Sequence, residues 1–452
     1  MIKFLITLIL FTSSFSFASE NNSISGKINN HTQDKLIIRG EKYNIEIDLN
    51  KNGEFKKNFD LKYTGVYNLC FNDKQFKIYL TNGSKIILKA DEKNFDNSLI
   101  FGGDNAIENN YLKKKEDVFN KVIAPEEKLY SLNENDFLEK VTLWKSEIDK
   151  LYNSTKFQNS YFKEHEIKNI DYTESYFFNI FSLFHRTDDG KSTLSENFPK
   201  NKMEFNFDFN NVEDYLFSEI YLTMIDSEYY NHIQRLIKNN PNSEFKIKFG
   251  EVKKLKNEYL KDKIIKSLIG KIKPQNPDLD YLYNELLKLI NDDNLSKEIT
   301  EKYNAVKKLV KGSPSPTFNY ENYNGGSTSL ESLKGKYVYI DVWATWCGPC
   351  VAQIPSLEKL QKDFEDKNIA FVSISVDKKT DIIKWKKMIE EKKLGGIQLI
   401  TDDERNSDFF KKYVVSTIPR FILLDKEGKI INADAPRPSD PKLIENLKEL
   451  GL

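Results

Sequence analysis

Asp341-Val342-Trp343-Ala344-Thr345-Trp346-Cys347-Gly348-Pro349-Cys350 is the stretch on which the reading of this chain turns. It closes an apolar run of strand length, Tyr337 to Trp343, and precedes Val351 to Phe364, whose spacing predicts a helix. Two thiols thus stand three residues apart where a strand gives way to a helix, and can close a small disulfide. The positive end of the helix favours charge on the first sulfur, so Cys347 is expected to be exposed, low in pKa and nucleophilic. Cys350, one turn further in, is expected to be shielded and to attack any mixed disulfide that Cys347 forms, releasing a reduced product. The competing reading of such a pair is half a zinc site, which needs two further Cys or His ligands. Neither Cys70 nor a pair among His31, His165, His185 and His232 lies at that spacing, so no metal is expected.

Working outward, Ala370 to Val376 reads as a strand and Ile382 to Leu394 as a helix. Phe421 to Leu424 and Lys429 to Ile431 form a hairpin around Lys426-Glu427-Gly428, and a last helix starts at Pro441. Strands alternating with helices predict an α/β sheet with crossover connections. The breaker run Gly312-Ser313-Pro314-Ser315-Pro316 marks the boundary before it. Residues 104–311 have helical periodicity, as in Phe137, Val141, Trp144, Ile148 and Leu151, then Leu260, Ile264, Leu268 and Ile272, then Leu282, Leu286 and Leu289. Residues 24–101 read as short strands broken by turns such as Asn82-Gly83, a small antiparallel β domain. No fixed-period repeat is present, which excludes a solenoid reading.

The chain has 452 residues, enough for about three domains. Its 68 Lys and Arg against 68 Asp and Glu leave no net field to draw it to nucleic acid, so no nucleic-acid partner is expected. Lys3 followed by the apolar run Phe4 to Phe11, with small residues at Ser16 and Ala18, predicts a signal peptide cleaved after Ala18. The expected domains are a leader over 1–18, a β-rich accessory domain over 19–103, a helical domain over 104–311 and a redox domain over 312–452. Export places the last of these where disulfides form. Cys70, alone on a strand between Leu69 and Phe71, is expected to be a small buried hydrophobe, with a reactive thiol in that oxidising compartment as the alternative.

The decamer, together with Pro355 and with Ile418-Pro419 before the last hairpin, resembles the thioredoxin fold and is most similar to the TlpA/ResA-type periplasmic thiol-disulfide oxidoreductases. Pro316-Thr317-Phe318 and the later Ser329-Leu330-Glu331-Ser332-Leu333-Lys334-Gly335-Lys336 are similar to the opening of that subgroup and of peroxiredoxins. Upstream, Phe101-Gly102-Gly103 and Asn109-Asn110-Tyr111-Leu112 look like the accessory domain of multidomain Bacteroidetes homologues. The resemblance implies an α/β thioredoxin-like C-terminal domain, preceded by the small antiparallel β domain and the all-helical domain. It implies that Asp341 is a buried carboxylate exchanging a proton with Cys350, although many periplasmic members carry a non-acidic residue there. Pro419 is implied to be cis, with the backbone of Ile418 pairing with substrate, and Trp346 to offer an apolar rim. Arg420, where thioredoxin itself usually has Thr, either supports a Cys347 thiolate or points to solvent. The Gly348-Pro349 dipeptide suggests a reducing poise.

The implied activity is reduction or exchange of disulfides in exported, periplasmic proteins. No cofactor is implied beyond the Cys347-Cys350 disulfide, and a membrane thiol is implied as electron donor. A peroxidase is a rival reading, but peroxiredoxins need Thr or Ser three before the reactive Cys, and Ala344 stands there. The other rival is a partner-binding protein whose redox domain senses or attaches.

Overall fold

The computed structural model describes residues 22–185, 191–205, 207–274 and 276–452; the leader expected over 1–18 lies outside them. The chain forms two compact units, one reaching Pro241 and including Leu255–Leu260, the other made of Asn242–Lys254 and Lys261–Leu452.

The first unit opens with eight strands: β1 (Asn22–Asn29), β2 (Lys35–Gly40), β3 (Tyr43–Asp48), β4 (Glu54–Phe59), β5 (Gly65–Phe71), β6 (Lys74–Leu80), β7 (Lys85–Asp91) and β8 (Ile100–Gly103). They make two four-stranded sheets, ordered β4-β1-β7-β8 and β3-β2-β5-β6. Alternate residues such as Ile24 and Ile28, Leu36 and Ile38, and Tyr67, Leu69 and Phe71 share one core. The pairings are antiparallel with one departure, since β1 runs parallel to β7. Gly26 makes that pairing close: a Cβ there would lie 1.8 Å from the carbonyl oxygen of Leu88.

Helices Ala106–Val122, Glu134–Ser154, Ser160–Phe184 and Glu219–Asn239 follow. Phe137, Val141, Trp144 and Ile148 are buried against Ile170, Phe177 and Phe181, the face that their spacing predicts. Asn109 exchanges hydrogen bonds with the backbone N–H and carbonyl of Tyr79, and Asn110 does the same with Phe101. The two asparagines thereby dock the first long helix on β6 and β8, a physical role for that part of the sequence.

In the second unit, β9 (Asn319–Asn322), β10 (Ser327–Ser329), β11 (Tyr337–Trp343), β12 (Ile369–Ser375), β13 (Ile397–Ile400), β14 (Arg420–Leu424) and β15 (Ile430–Asn432) form one sheet, ordered β10-β9-β13-β12-β11-β14-β15. β11, β12 and β13 are parallel, and β14 is antiparallel to β11. Leu357 and Leu360 with Leu443 and Leu447 form one core cluster, and Trp385, Phe409 and Tyr413 belong to another. The helix expected from Val351 instead begins at Ile354, with Pro355 in its first turn, after a separate short helix Gly348–Val351.

Helices Glu244–Val252, Leu279–Leu289 and Asp293–Lys307 belong to this same unit and share a cluster around Leu282, Leu286 and Ile299. Leu309 is part of the redox core, and Val414 packs against both clusters. The breaker run is itself bonded to β15 and its turn: Gly312 N–H donates to Ile430, Ile430 N–H to Ser313 and Ser315 N–H to Gly428.

Candidate active site

β11 delivers Trp343 to the edge of the site, and the chain then turns through Ala344 and Thr345. Asp377, 1 % exposed just past β12, holds that turn. Its carboxylate accepts from the Thr345 N–H at 2.9 Å, the Thr345 hydroxyl at 2.8 Å and the Ser375 hydroxyl at 2.6 Å. Cys347 is then the N-cap of helix Gly348–Val351, with Pro349 in the first turn; its Sγ accepts from the Cys350 N–H at 3.2 Å.

Cys347 and Cys350 are joined as a disulfide with their Cα atoms 5.2 Å apart. The exposure expected of Cys347 is absent, since it is 5 % exposed and Cys350 4 %. Both sulfurs of the closed ring pack into the redox core, so what distinguishes Cys347 is its capping position and the amide N–H on its sulfur. Trp346 beside it is 54 % exposed, while Trp343 is buried. Ile418–Pro419 is cis, and Ile418 packs against the same core as the disulfide.

Asp341, Ser373 and Gln398 stand side by side on β11, β12 and β13. Desolvation pushes the Asp341 carboxyl up to about 7, opposed by a hydrogen bond with Ser373. All three residues line, with Cys350 and Trp343, a cavity of about 20 Å³. That is space for one water molecule. The Trp343 indole N–H and the Gln398 carbonyl oxygen, both buried, lack hydrogen-bond partners among the described residues. The cavity is therefore polar enough to hold a water and extends from Asp341 to Cys350.

Arg420 corrects the sequence-based alternative of a solvent-pointing side chain. It is 7 % exposed, donates to the Ala433 carbonyl at 3.2 Å and pairs with Asp434 at 3.3 Å. Cys70 is half-buried and free of disulfide. Among the described residues no group of His, Cys, Asp or Glu is arranged to hold a metal ion, and no helix is long and apolar enough to cross a membrane. Asp377, Ser373 and Gln398 escaped sequence reasoning. The only signal was an Asp two residues after Ser375 at a strand end, whose partner Thr345 lies 32 residues away.

Comparison with known proteins agrees with this geometry. Residues 310–448 match the Redoxin family. The ResA thiol-disulfide oxidoreductase of Bacillus thuringiensis subsp. konkukian is 28% identical over 143 residues, covering 32% of this chain and 80% of that protein. The thioredoxin-like protein YneN of Bacillus subtilis is 33% identical over 126 residues, covering 27% of this chain and 69% of its own. The chain belongs to the TlpA/ResA type of the thioredoxin superfamily. It is a thiol-disulfide oxidoreductase. Among solved structures, the thioredoxin domain of a Bacteroides vulgatus thiol-disulfide oxidoreductase is 33% identical, with a TM-score of 0.29, covering 31% of this chain and 98% of that one. A Bacteroides fragilis thiol-disulfide oxidoreductase is 30% identical, with a TM-score of 0.28, covering 30% and 99%.

Proposed function

We propose that this protein is exported, is cleaved after Ala18, and reduces or exchanges disulfides of other exported proteins through Cys347 and Cys350. The reduced Cys347 thiolate attacks a substrate disulfide; one substrate sulfur leaves as a thiolate and takes up a proton. Cys350 then loses its proton and attacks Sγ of Cys347, releasing the second substrate thiol and leaving the Cys347-Cys350 disulfide. Two electrons pass to the substrate, and a membrane thiol donor returns the pair to the dithiol. The dithiol itself carries the electrons, so the reading calls for no cofactor, metal or nucleic acid.

The observation that carries this reading is the cavity of about 20 Å³ lined by both Asp341 and Cys350. A carboxyl with its pKa at about 7 is half ionised near neutral pH, and one water molecule in that space would relay the proton of Cys350 to it. Trp346 would meet the substrate beside the disulfide, and the Ile418 backbone before Pro419 would pair with an extended segment. Arg420 is held by Asp434, and its part in substrate binding would be to hold the chain after Pro419 in place.

Turnover of a disulfide substrate by the full chain tests the reading. Cys347→Ser should abolish it, and Cys350→Ala should accumulate mixed disulfides that Cys347→Ala does not form. Undiminished turnover in Cys347→Ser would sink the enzyme mechanism and leave the partner-binding alternative.

A further inference from the structure

Val414 has a backbone φ of 51°, in the left-handed region, and is the only β-branched residue so placed among those described. It stands just past helix Asp408–Lys412. The Val414 N–H donates to the Lys411 carbonyl at 3.1 Å and the Val415 N–H to the Phe410 carbonyl at 3.0 Å. These two bonds close the helix in a turn whose left-handed residue is ordinarily glycine. A side chain branched at Cβ is crowded there, so its surroundings must hold the residue in that state.

What holds it is packing. Val414 is half-buried and packs against two clusters at once, the redox core that includes Cys347 and Cys350 and the helical cluster of Leu282, Leu286 and Ile299. Five residues on, after Val415-Ser416-Thr417-Ile418, comes Pro419. The far side of that loop is fastened to the same helical part of the unit. Asp434, which pairs with Arg420 at 3.3 Å, also pairs with Lys273 at 2.8 Å. Lys302, one turn after Ile299 on helix Asp293–Lys307, has its pKa lowered by desolvation and, against the pull of Glu298, by the charge of Arg420. That helix therefore runs beside the residue that follows Pro419. Between the two fastenings Ser416 and Thr417 are exposed.

We propose that Val414 is a positioning residue through which the helical cluster sets the path of the loop from Val415 to Pro419, and with it the affinity for polypeptide disulfides. The proposal rests on the reading that the Ile418 backbone pairs with an extended substrate. A polypeptide needs that backbone in register, whereas a small disulfide needs only Cys347. Without its backing, Val414 would relax to a right-handed or extended conformation and swing the chain after it. The helices before Gly312 that share this unit are then part of the substrate-binding machinery rather than a tether to it.

The test follows steady-state reduction of insulin and of bis(2-hydroxyethyl) disulfide by the full chain, with dithiothreitol as electron donor. Val414→Ala keeps the left-handed penalty and removes the packing, while Val414→Gly removes the packing but suits the backbone. KM for insulin should rise about tenfold in Val414→Ala and at most about threefold in Val414→Gly, with kcat within about twofold of wild type. Turnover of the small disulfide should stay within about twofold in both. A merely structural role predicts the reverse order, since glycine ordinarily costs more than alanine. Val414→Ile, which keeps the contact, should retain the wild-type KM. On the helical side, Ile299→Ala should raise KM for insulin about threefold with Val414 present and not in the Val414→Gly background. Circular dichroism checks folding, and the order of Ala and Gly decides alone if Ile299→Ala is unfolded. With the wild type active, a flat insulin KM across the variants at 414, a higher KM for Gly than for Ala, or the same effect of Ile299→Ala in both backgrounds would overturn this proposal and leave the disulfide reading standing. Reduction of neither substrate by the wild type would overturn both.

Discussion

Two carboxylates, one on β11 and one just past β12, serve the same ten-residue motif in opposite ways. Asp377, at the loop side, accepts three hydrogen bonds and fixes the turn that leads to Cys347. Asp341, half-buried on β11 where the family resemblance implied full burial, has Ser373 and a water-sized cavity, and desolvation raises its pKa to about 7. The difference teaches that the number of donors around an acid decides what it does for its neighbours. Three donors make Asp377 a fixed post for the turn, whereas Asp341, with Ser373 and a water-sized cavity beside it, has a proton exchangeable near neutral pH.

The largest expected effect breaks the post. Asp377→Ala leaves three donors unpaired in the interior and should cost on the order of 3 kcal/mol in urea unfolding, with turnover falling as the turn before Cys347 loosens. If it costs no more than Asp341→Asn, the contrast is wrong. Asp341→Asn should act in the opposite direction and depend on pH. Its folded pKa lies above the unfolded value of 3.8, so ionising it destabilises the fold as pH rises from 3.8 towards about 7, and the cost is complete above that. The Asn variant should therefore be the more stable protein at pH 8, by up to about 4 kcal/mol, and the advantage should fade towards pH 4. Release of the mixed disulfide should slow in this variant and lose its inflection near pH 7, which stopped-flow at several pH values would read.

A smaller change sharpens the same comparison. Ser373→Ala removes the hydrogen bond that lowers the Asp341 pKa, so that inflection should move to higher pH, by less than about one unit. An acid-ward shift would mean that Ser373 serves the neutral carboxyl instead. The smallest effect is expected at Gly348, where an added Cβ would meet nothing within 4 Å. Gly348→Ala should keep turnover within about twofold, because neither carboxylate is disturbed.

The motif itself was legible because local chemistry marks it: two cysteines three apart, a strand before them and a proline-punctuated helix after. The helical face of Phe137, Val141, Trp144 and Ile148 was legible for the same reason, since periodicity is local. What escaped was set by distant pairing. Asp377 means nothing until Thr345 arrives beside it, and Gln398 nothing until β13 lies against β12. β13 is four residues long, too short for alternation to announce it. Arg420 followed a familiar proline, but its orientation was decided by Asp434, on the far side of a hairpin.

The Gly312–Pro316 run carries one more consequence. Stretches rich in Gly, Ser and Pro are where proteases ordinarily nick a chain, because a scissile peptide must leave its surroundings and extend across the protease cleft. Here the backbone of that run is already engaged, through Gly312, Ser313 and Ser315, with the turn and strand of the last hairpin. Cleavage there would first have to peel it from β15, so limited digestion of the folded protein should spare this segment, and mapping its products would place the first cuts elsewhere.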